Sequence, residues 1–187
     1  MNSLTKEINS IIDHYNNHYE QLKYGWSDIE KLLELKQNYI YDNVNAEFQR
    51  ELDKFIDNQN VKIIHGLAPW HPEGDSATYH KRRHEISINK KDKYINNIKG
   101  YYHDLFHELA HSTMLYCGRE TLARYSYTAE EMIAELSALS LERHFGILSP
   151  RILYNGCCYI KYAIERKLSE EDSVQVIKAV QVLLTRG

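Results

Sequence analysis

The chain is poor in cysteine: Cys117, Cys157 and Cys158 are its three, an odd number with no C-x-x-C pair among them. That excludes a disulfide framework and a four-cysteine structural zinc site, and the adjacent Cys157 and Cys158 read as small buried apolar residues. Long apolar runs are also missing. No segment approaches the ~20 apolar residues of a membrane span, and the opening "MNSLTKEINS" lacks the apolar stretch of a signal peptide. The expectation is a soluble, cytoplasmic protein with no membrane partner. Nor is there a strong excess of charge of one sign, the net charge being −3, so nothing global calls for nucleic acid or an acidic membrane. Internal repeats and low-complexity segments are absent.

What is present is a globular composition, 43% hydrophobic and 26% charged over 187 residues, with ten histidines and fifteen tyrosines. A chain of this length buries a real core. Its first 60 residues read as a helical segment packed on the same domain. Leu4, Ile8, Ile11, Ile12, Tyr15 and Tyr19 form one apolar stripe, and Ser27 with Glu30 makes a capping-box pattern. Residues 61–187 form the main domain. "VKIIHG" is a short β-branched run, "GLAPWHPEGDS" a loop, and "ATYH" and "HEISIN" two strands around the basic link "KRR". Helices follow: one from about Gly100 to Met114, an apolar one capped by Thr128 and ended by Gly146, one opened by Ser149 and Pro150, and a last one capped by Ser169. Helices, a small sheet, then helices make the class α+β.

One helix carries "YYHDLFHELAH". His103, His107 and His111 fall four apart, on roughly one face. "HELAH" is an H-E-x-x-H match, in which histidines at i and i+4 can both reach a zinc ion at about 2.0–2.1 Å. The intervening Glu108 projects to the same side, where it can take a proton from a zinc-bound water. Chance would produce the motif in roughly one chain in twenty of this composition, so its context counts. Leu105, Phe106, Leu109 and Ala110 make the helix largely apolar, which turns its polar residues toward the interior or a cleft. His103 lies ~6 Å further along the axis, too far to share the ion. It is read as a neighbour of the site: a solvent-facing residue first, with a place behind the ligands or in the lining of the cleft as the alternatives.

A catalytic zinc needs a third protein ligand and one open position. "TAEEMIAELSAL" is similar to the ligand helix of thermolysin-like gluzincins, in which a glutamate binds the zinc and an acid four residues on orients a zinc histidine. Glu131 and Glu135 have that spacing. The resemblance implies Glu131 as third ligand and Glu135 as acceptor of the outer N–H of a ligand histidine. Glu130 projects about 100° away and is the weaker choice. Glu131 can also close a capping box with Thr128. A second acid on the same face of an apolar helix, Glu135, is costly unless paired.

Two stretches, "GDSATYHKRRHEISINKKDKYINNIKGYYHDLFHELAHST" and "YTAEEMIAELSALSLERHFGI", resemble the C-terminal metallopeptidase domain of ArdC-type antirestriction proteins. Gly74, Asp75, Ala77, Tyr79, Ile86, Tyr101, Tyr102, His107, Glu108, His111, Thr113, Glu130, Glu131 and Glu135 match that pattern. The resemblance spans roughly residues 60–185. It implies a zincin-like minimal peptidase domain with a small antiparallel or mixed sheet, one zinc per chain on His107, His111 and Glu131, and Glu108 as base. It also implies carriage by a phage, plasmid or other mobile element and protection of incoming DNA. Two departures stand out: Met114 replaces the family's glycine, and the first 60 residues are too short and too helical for the family's DNA-binding domain. DNA binding is therefore not carried over. The basic run "HKRRH" at residues 80–84 fits a solvated hairpin turn.

The function read from these residues is a zinc metallopeptidase acting on a protein or peptide through a zinc-activated water. Tyr125, Tyr127 and His144 are the candidates for an oxyanion or proton donor. Two other readings share the motif: a metal-containing protein that binds DNA or a partner without proteolysis, and a purely structural zinc with a fourth protein ligand.

Overall fold

The computed structural model describes residues 3–19, 44, 46–95, 97–119, 127–164 and 167–186. The Ser27–Glu30 capping box and Tyr125 lie outside them. Among the described residues there are six α-helices and one three-stranded sheet, an α+β arrangement. The helices are α1 (Ser3–His18), α2 (Ala46–Asp57), α3 (Ile98–Ser112), α4 (Tyr127–His144), α5 (Pro150–Ile164) and α6 (Glu170–Arg186). The strands are β1 (Lys62–His65), β2 (Ala77–His80) and β3 (Glu85–Ile88). No described helix is long and apolar enough to cross a membrane.

The sheet is mixed, ordered β1-β3-β2, with β3 parallel to β1 and antiparallel to β2. β3 is central, and its Ile86, Ser87 and Ile88 are fully buried. β2 is an edge strand, in register Tyr79 opposite Ile86, and lies against α3. The link between β2 and β3 is a four-residue turn, Lys81–His84. It closes on His84, which takes φ +50 and is held by Tyr79 Oη at 2.9 Å and the Asn60 carbonyl at 2.6 Å.

α4 is the centre of the molecule. Every residue from Ala129 to Glu142 is buried, because α1, α3, α5 and α6 all pack on it. A helix covered on all sides has no need of a polar face, so the polar residues it carries require partners. Its C-terminal end is set by Gly146, at φ +68. Gly146 N–H bonds to Arg143 O at 3.1 Å and Ile147 N–H to Glu142 O at 2.8 Å, the paired bonds of a Schellman ending.

Local signals fix the other helices. α3 starts two residues before the sequence expectation, because the Asn97 side chain accepts from Gly100 N–H. Ser149 accepts from Ile152 N–H at the head of α5. Ser169 and Asp172 cap α6 reciprocally, Ser169 N–H to Asp172 Oδ2 at 2.9 Å and Asp172 N–H to Ser169 Oγ at 3.2 Å. Thr128 falls inside the first turn of α4 rather than at its cap. Phe55, Phe106 and Phe145 tie α2, α3 and the end of α4 together, with ring centroids 4.8–6.0 Å apart.

Candidate metal centre

α3 and α4 meet along two facing rows. α3 supplies His103, His107 and His111, one helical turn apart; α4 supplies Glu131, Glu135 and, two turns further on, Glu142. The rows pair because the helices run in opposite directions: His111 meets Glu131, His107 meets Glu131 and Glu135, and His103 meets Glu135 and Glu142.

At the open end of this ladder three ligand atoms converge. His107 Nε2 and His111 Nε2 are 3.1 Å apart. Glu131 Oε2 lies 3.3 Å from the first, and Oε1 lies 3.4 Å from the second. Ligand atoms around a tetrahedral zinc at 2.0–2.1 Å stand ~3.3 Å from one another, so the donor set fits that ion. The outer nitrogens give a second test. His107 Nδ1 sits 2.9 Å from Glu135 Oε2, and His111 Nδ1 sits 3.4 Å from Glu130 Oε1. A carboxylate only accepts, so each Nδ1 carries a hydrogen; each Nε2 faces Glu131 as well, and there it either holds a second proton or presents a lone pair to a metal. Two lone pairs and a carboxylate aimed at one point repel unless a cation lies among them. His107, His111 and Glu131 are the one such group among the described residues.

The titration behaviour expresses the same fact. Burial works against charging His107, but hydrogen bonds to Glu131 and Glu135 overrule it and raise its pKa to about 10. His111 is shifted in the same direction, burial being outweighed by Glu130 and Glu131. Burial alone would raise Glu131 and Glu135, yet the histidines facing them hold both well below the carboxylate range. In the metal-free protein a proton does the work of the cation.

Glu108 is buried beside the pair. Its Oε2 accepts the Tyr79 backbone N–H at 2.6 Å, which ties the residue to the edge strand β2. Burial pushes its carboxyl up, against the opposing pull of His107, His111 and that N–H. A carboxylate raised toward neutrality and placed beside a metal is suited to proton transfer.

The structure brings His107, His111, Glu108, Glu131 and Glu135 together, and Glu131 turns to the histidines and to Tyr159. Two of the remaining expectations, those for His144 and His103, need correction. His144 is not near the cluster: it lies roughly 20 Å along α4 from Glu131, facing Glu7 of α1 at 3.5 Å, and is removed from the candidate donors. Tyr127 is at the mouth of the site, 78% exposed, its hydroxyl held up in pKa by the Glu131 charge. His103 does not face solvent but is wedged between Glu135 and Glu142. Burial opposes its charge, and those two carboxylates outweigh it, holding His103 well above 6.5.

Arg119 and Tyr159 were not picked out from the sequence, and Glu130 was weighed there only as the weaker ligand. Glu130 reaches His111, and Arg119 pins Glu130 from both sides, Nε to Oε2 at 2.8 Å and Nη2 to Oε1 at 2.9 Å. Arg119 Nη2 also donates to Ala110 O and to Thr113 Oγ1, each at 3.1 Å, clamping the end of α3. On α5, the Tyr159 hydroxyl donates to Glu131 Oε2 at 2.9 Å. No sequence signal pointed to Tyr159; Glu142, seven residues or two turns beyond Glu135 on the same face of the helix, could have been found from helical spacing.

Comparison with known proteins agrees with the geometry. A family model described as a zincin-like metallopeptidase, MPTase-PolyVal, matches residues 50–181. Two crystal structures of the antirestriction protein ArdC from the R388 plasmid share the fold at a TM-score of 0.53 and 22% identity, one Mn(II)-bound and one metal-free. They align with 73% and 77% of this chain. The chain spans about half of each ArdC chain, 52% and 51%. No curated protein shows significant similarity to it. With the match covering most of its length and the ligand set in place, the chain belongs to the MPTase-PolyVal family of zincin-like metallopeptidases.

Proposed function

We propose that the protein is a zinc-dependent peptidase that hydrolyses peptide bonds of a protein or peptide substrate, with one zinc per chain on His107, His111 and Glu131. The observation that carries this reading is the convergence of two Nε2 atoms and a carboxylate at ligand spacing, beside a buried glutamate. Zinc bound there would supply a Lewis acid that lowers the pKa of water to ~7 and polarises a carbonyl. Glu108 takes the proton from the attacking water and passes it to the leaving amine. The Tyr79 N–H fixes Glu108 Oε2, which leaves Oε1 for the proton. Tyr159, whose single O–H is on Glu131 at rest, turns it from Glu131 to the developing oxyanion, with Tyr127 as the more exposed alternative.

The test combines metal content with turnover of an unfolded protein such as casein. Glu108→Gln should keep its zinc and lose about 10²–10⁴-fold in rate. Zinc-loaded protein that cleaves nothing, or turnover that Glu108→Gln leaves untouched, would overturn the peptidase reading; the former would favour a metal-containing binding protein.

The two solved relatives are named for antirestriction. The proposal extends to that role for this chain, as a mobile-element product acting in the cytoplasm, where incoming DNA meets restriction enzymes. Unmodified plasmid DNA should then establish more often in a restricting strain that expresses the chain than in one that does not. Equal efficiencies would exclude the role.

A further inference from the structure

Behind the ligands, on the side away from Tyr127 and Tyr159, the ladder of α3 and α4 continues for one more rung that the proposed reaction does not use. His103 Nε2 lies 3.2 Å from Glu135 Oε1, and Nδ1 lies 3.3 Å from Glu142 Oε1. Glu142 is fully buried, and neither of its oxygens has an aligned hydrogen bond among the described residues. A carboxylate in such a place is costly unless a charge faces it, and the cation it faces is His103. An imidazole with a carboxylate at each nitrogen is satisfied when both nitrogens carry hydrogen.

The geometry points to a positioning role: we propose that His103, with Glu142 as its counter-charge, orients Glu135 and through it the ligand His107. Glu135 has two oxygens and two histidines. Oε2 is on His107 Nδ1 and Oε1 on His103 Nε2. With Oε1 held, the carboxylate plane is fixed and Oε2 stays aimed at His107. Without His103, the group can turn about its terminal bond, and His107 loses the acceptor that sets its tautomer. Glu142 is placed to keep His103 from swinging away, since it takes the ring's other nitrogen. The arrangement mirrors the second ligand, where Arg119 holds Glu130 and Glu130 holds His111. Each zinc histidine thus has a carboxylate behind it and a cation behind the carboxylate.

The inference rests on the reading of His107 as a zinc ligand, so the experiment separates the two. Zinc dissociation constants are measured on the full chain by competition with a chromophoric chelator, for wild type, His103→Leu, Glu135→Gln and the double variant. Thermal unfolding of the metal-free forms is followed in parallel. His103→Leu should weaken zinc binding about tenfold. In the Glu135→Gln background the same change should cost less than about twofold, because the route is already cut. A His103→Leu protein that unfolds at lower temperature yet binds zinc as wild type does would overturn the proposal. So would a tenfold loss that persists undiminished beside Glu135→Gln. If His103→Leu does not fold, His103→Gln, which keeps one donor and most of the volume, goes through the same cycle with the same criteria. Wild-type protein that takes up no zinc would instead sink the ligand reading itself.

Discussion

Gly156 of α5 lies against Glu135 of α4, and the contact leaves no room for a side chain. A Cβ at position 156 would stand 2.5 Å from Glu135 Oε1 and 2.9 Å from Leu139 Cδ1. The missing methyl lets the two helices approach where Glu135 must hold both His103 and His107. Gly156→Ala should therefore push Glu135 off its partners or part the helices. Overpacking of this kind costs about 1–3 kcal/mol, seen as a lower Tm, and displacing the acceptor should weaken zinc binding by about tenfold. A variant with wild-type zinc affinity would show that Glu135 has slack the packing does not suggest.

Zinc uptake should release protons. Metal-free His107 has a pKa raised to about 10, so near pH 7.5 it holds a proton that the ion must displace. Calorimetric titration in two buffers of different ionisation heat reads the number directly, and about one proton or more is expected. The same shift sets the stability of the metal-free protein. A histidine whose folded pKa exceeds its unfolded 6.5 stabilises fully below pH 6.5, and that contribution fades as pH climbs toward 10. The Tm of chelator-treated protein should fall across that window, whereas zinc-loaded protein, with His107 deprotonated throughout, should lose less. Equal slopes would count against the ligand assignment.

Arg119→Met should be costly. Glu130 loses both guanidinium bonds while still buried, and breaking a buried pair costs about 3–5 kcal/mol. Arg119→Lys should recover only part, since an ammonium cannot reproduce the two-pronged contact. Pairing Arg119→Met with Glu130→Gln removes the stranded charge and should restore some of the Tm. Chemical denaturation of the three proteins, with zinc affinity measured alongside, checks the order.

Tyr159→Phe keeps the ring and removes the hydroxyl that reaches Glu131. Should that hydroxyl serve the oxyanion, turnover falls about 10²-fold with zinc content and KM little changed. Tyr127→Phe, at an exposed position, should have the smaller effect. The reverse ranking would reassign the donor.

Much of this centre was legible because its signals are local. Residues four apart on one helix share a face whatever the tertiary fold, so His107, His111 and Glu108 announce themselves, and the four-residue step from Glu131 to Glu135 does the same. What failed was longer in range. Glu130 looked misdirected because one ligand side was imagined, whereas the outer nitrogens of the two histidines diverge and each needs its own acceptor. Arg119 arrives from beyond the end of α3 and Tyr159 from a separate helix, contacts that no periodicity encodes. His103 seemed exposed because its partner Glu142 was read as part of an apolar run. His144 fell to a simpler oversight, since counting turns along α4 already puts it far from Glu131. The fold was readable as α+β from the strand pair and the helical stripes. That α4 would be wrapped by four other helices was not, because burial on every side leaves no amphipathic stripe to detect.

The family match begins at residue 50, yet the core does not. Ile8, Ile11, Ile12 and Tyr15 of α1 are buried against α4 and α6, and Lys161 and Leu168 reach back to Tyr19 O and Asn16 Oδ1. The stretch a sequence profile recognises is thus smaller than the piece of chain that closes the core. A fragment cut at the profile's edge would lay bare one flank of the helix that carries Glu131 and Glu135. Its metal chemistry would then depend on a segment in which the family is not written.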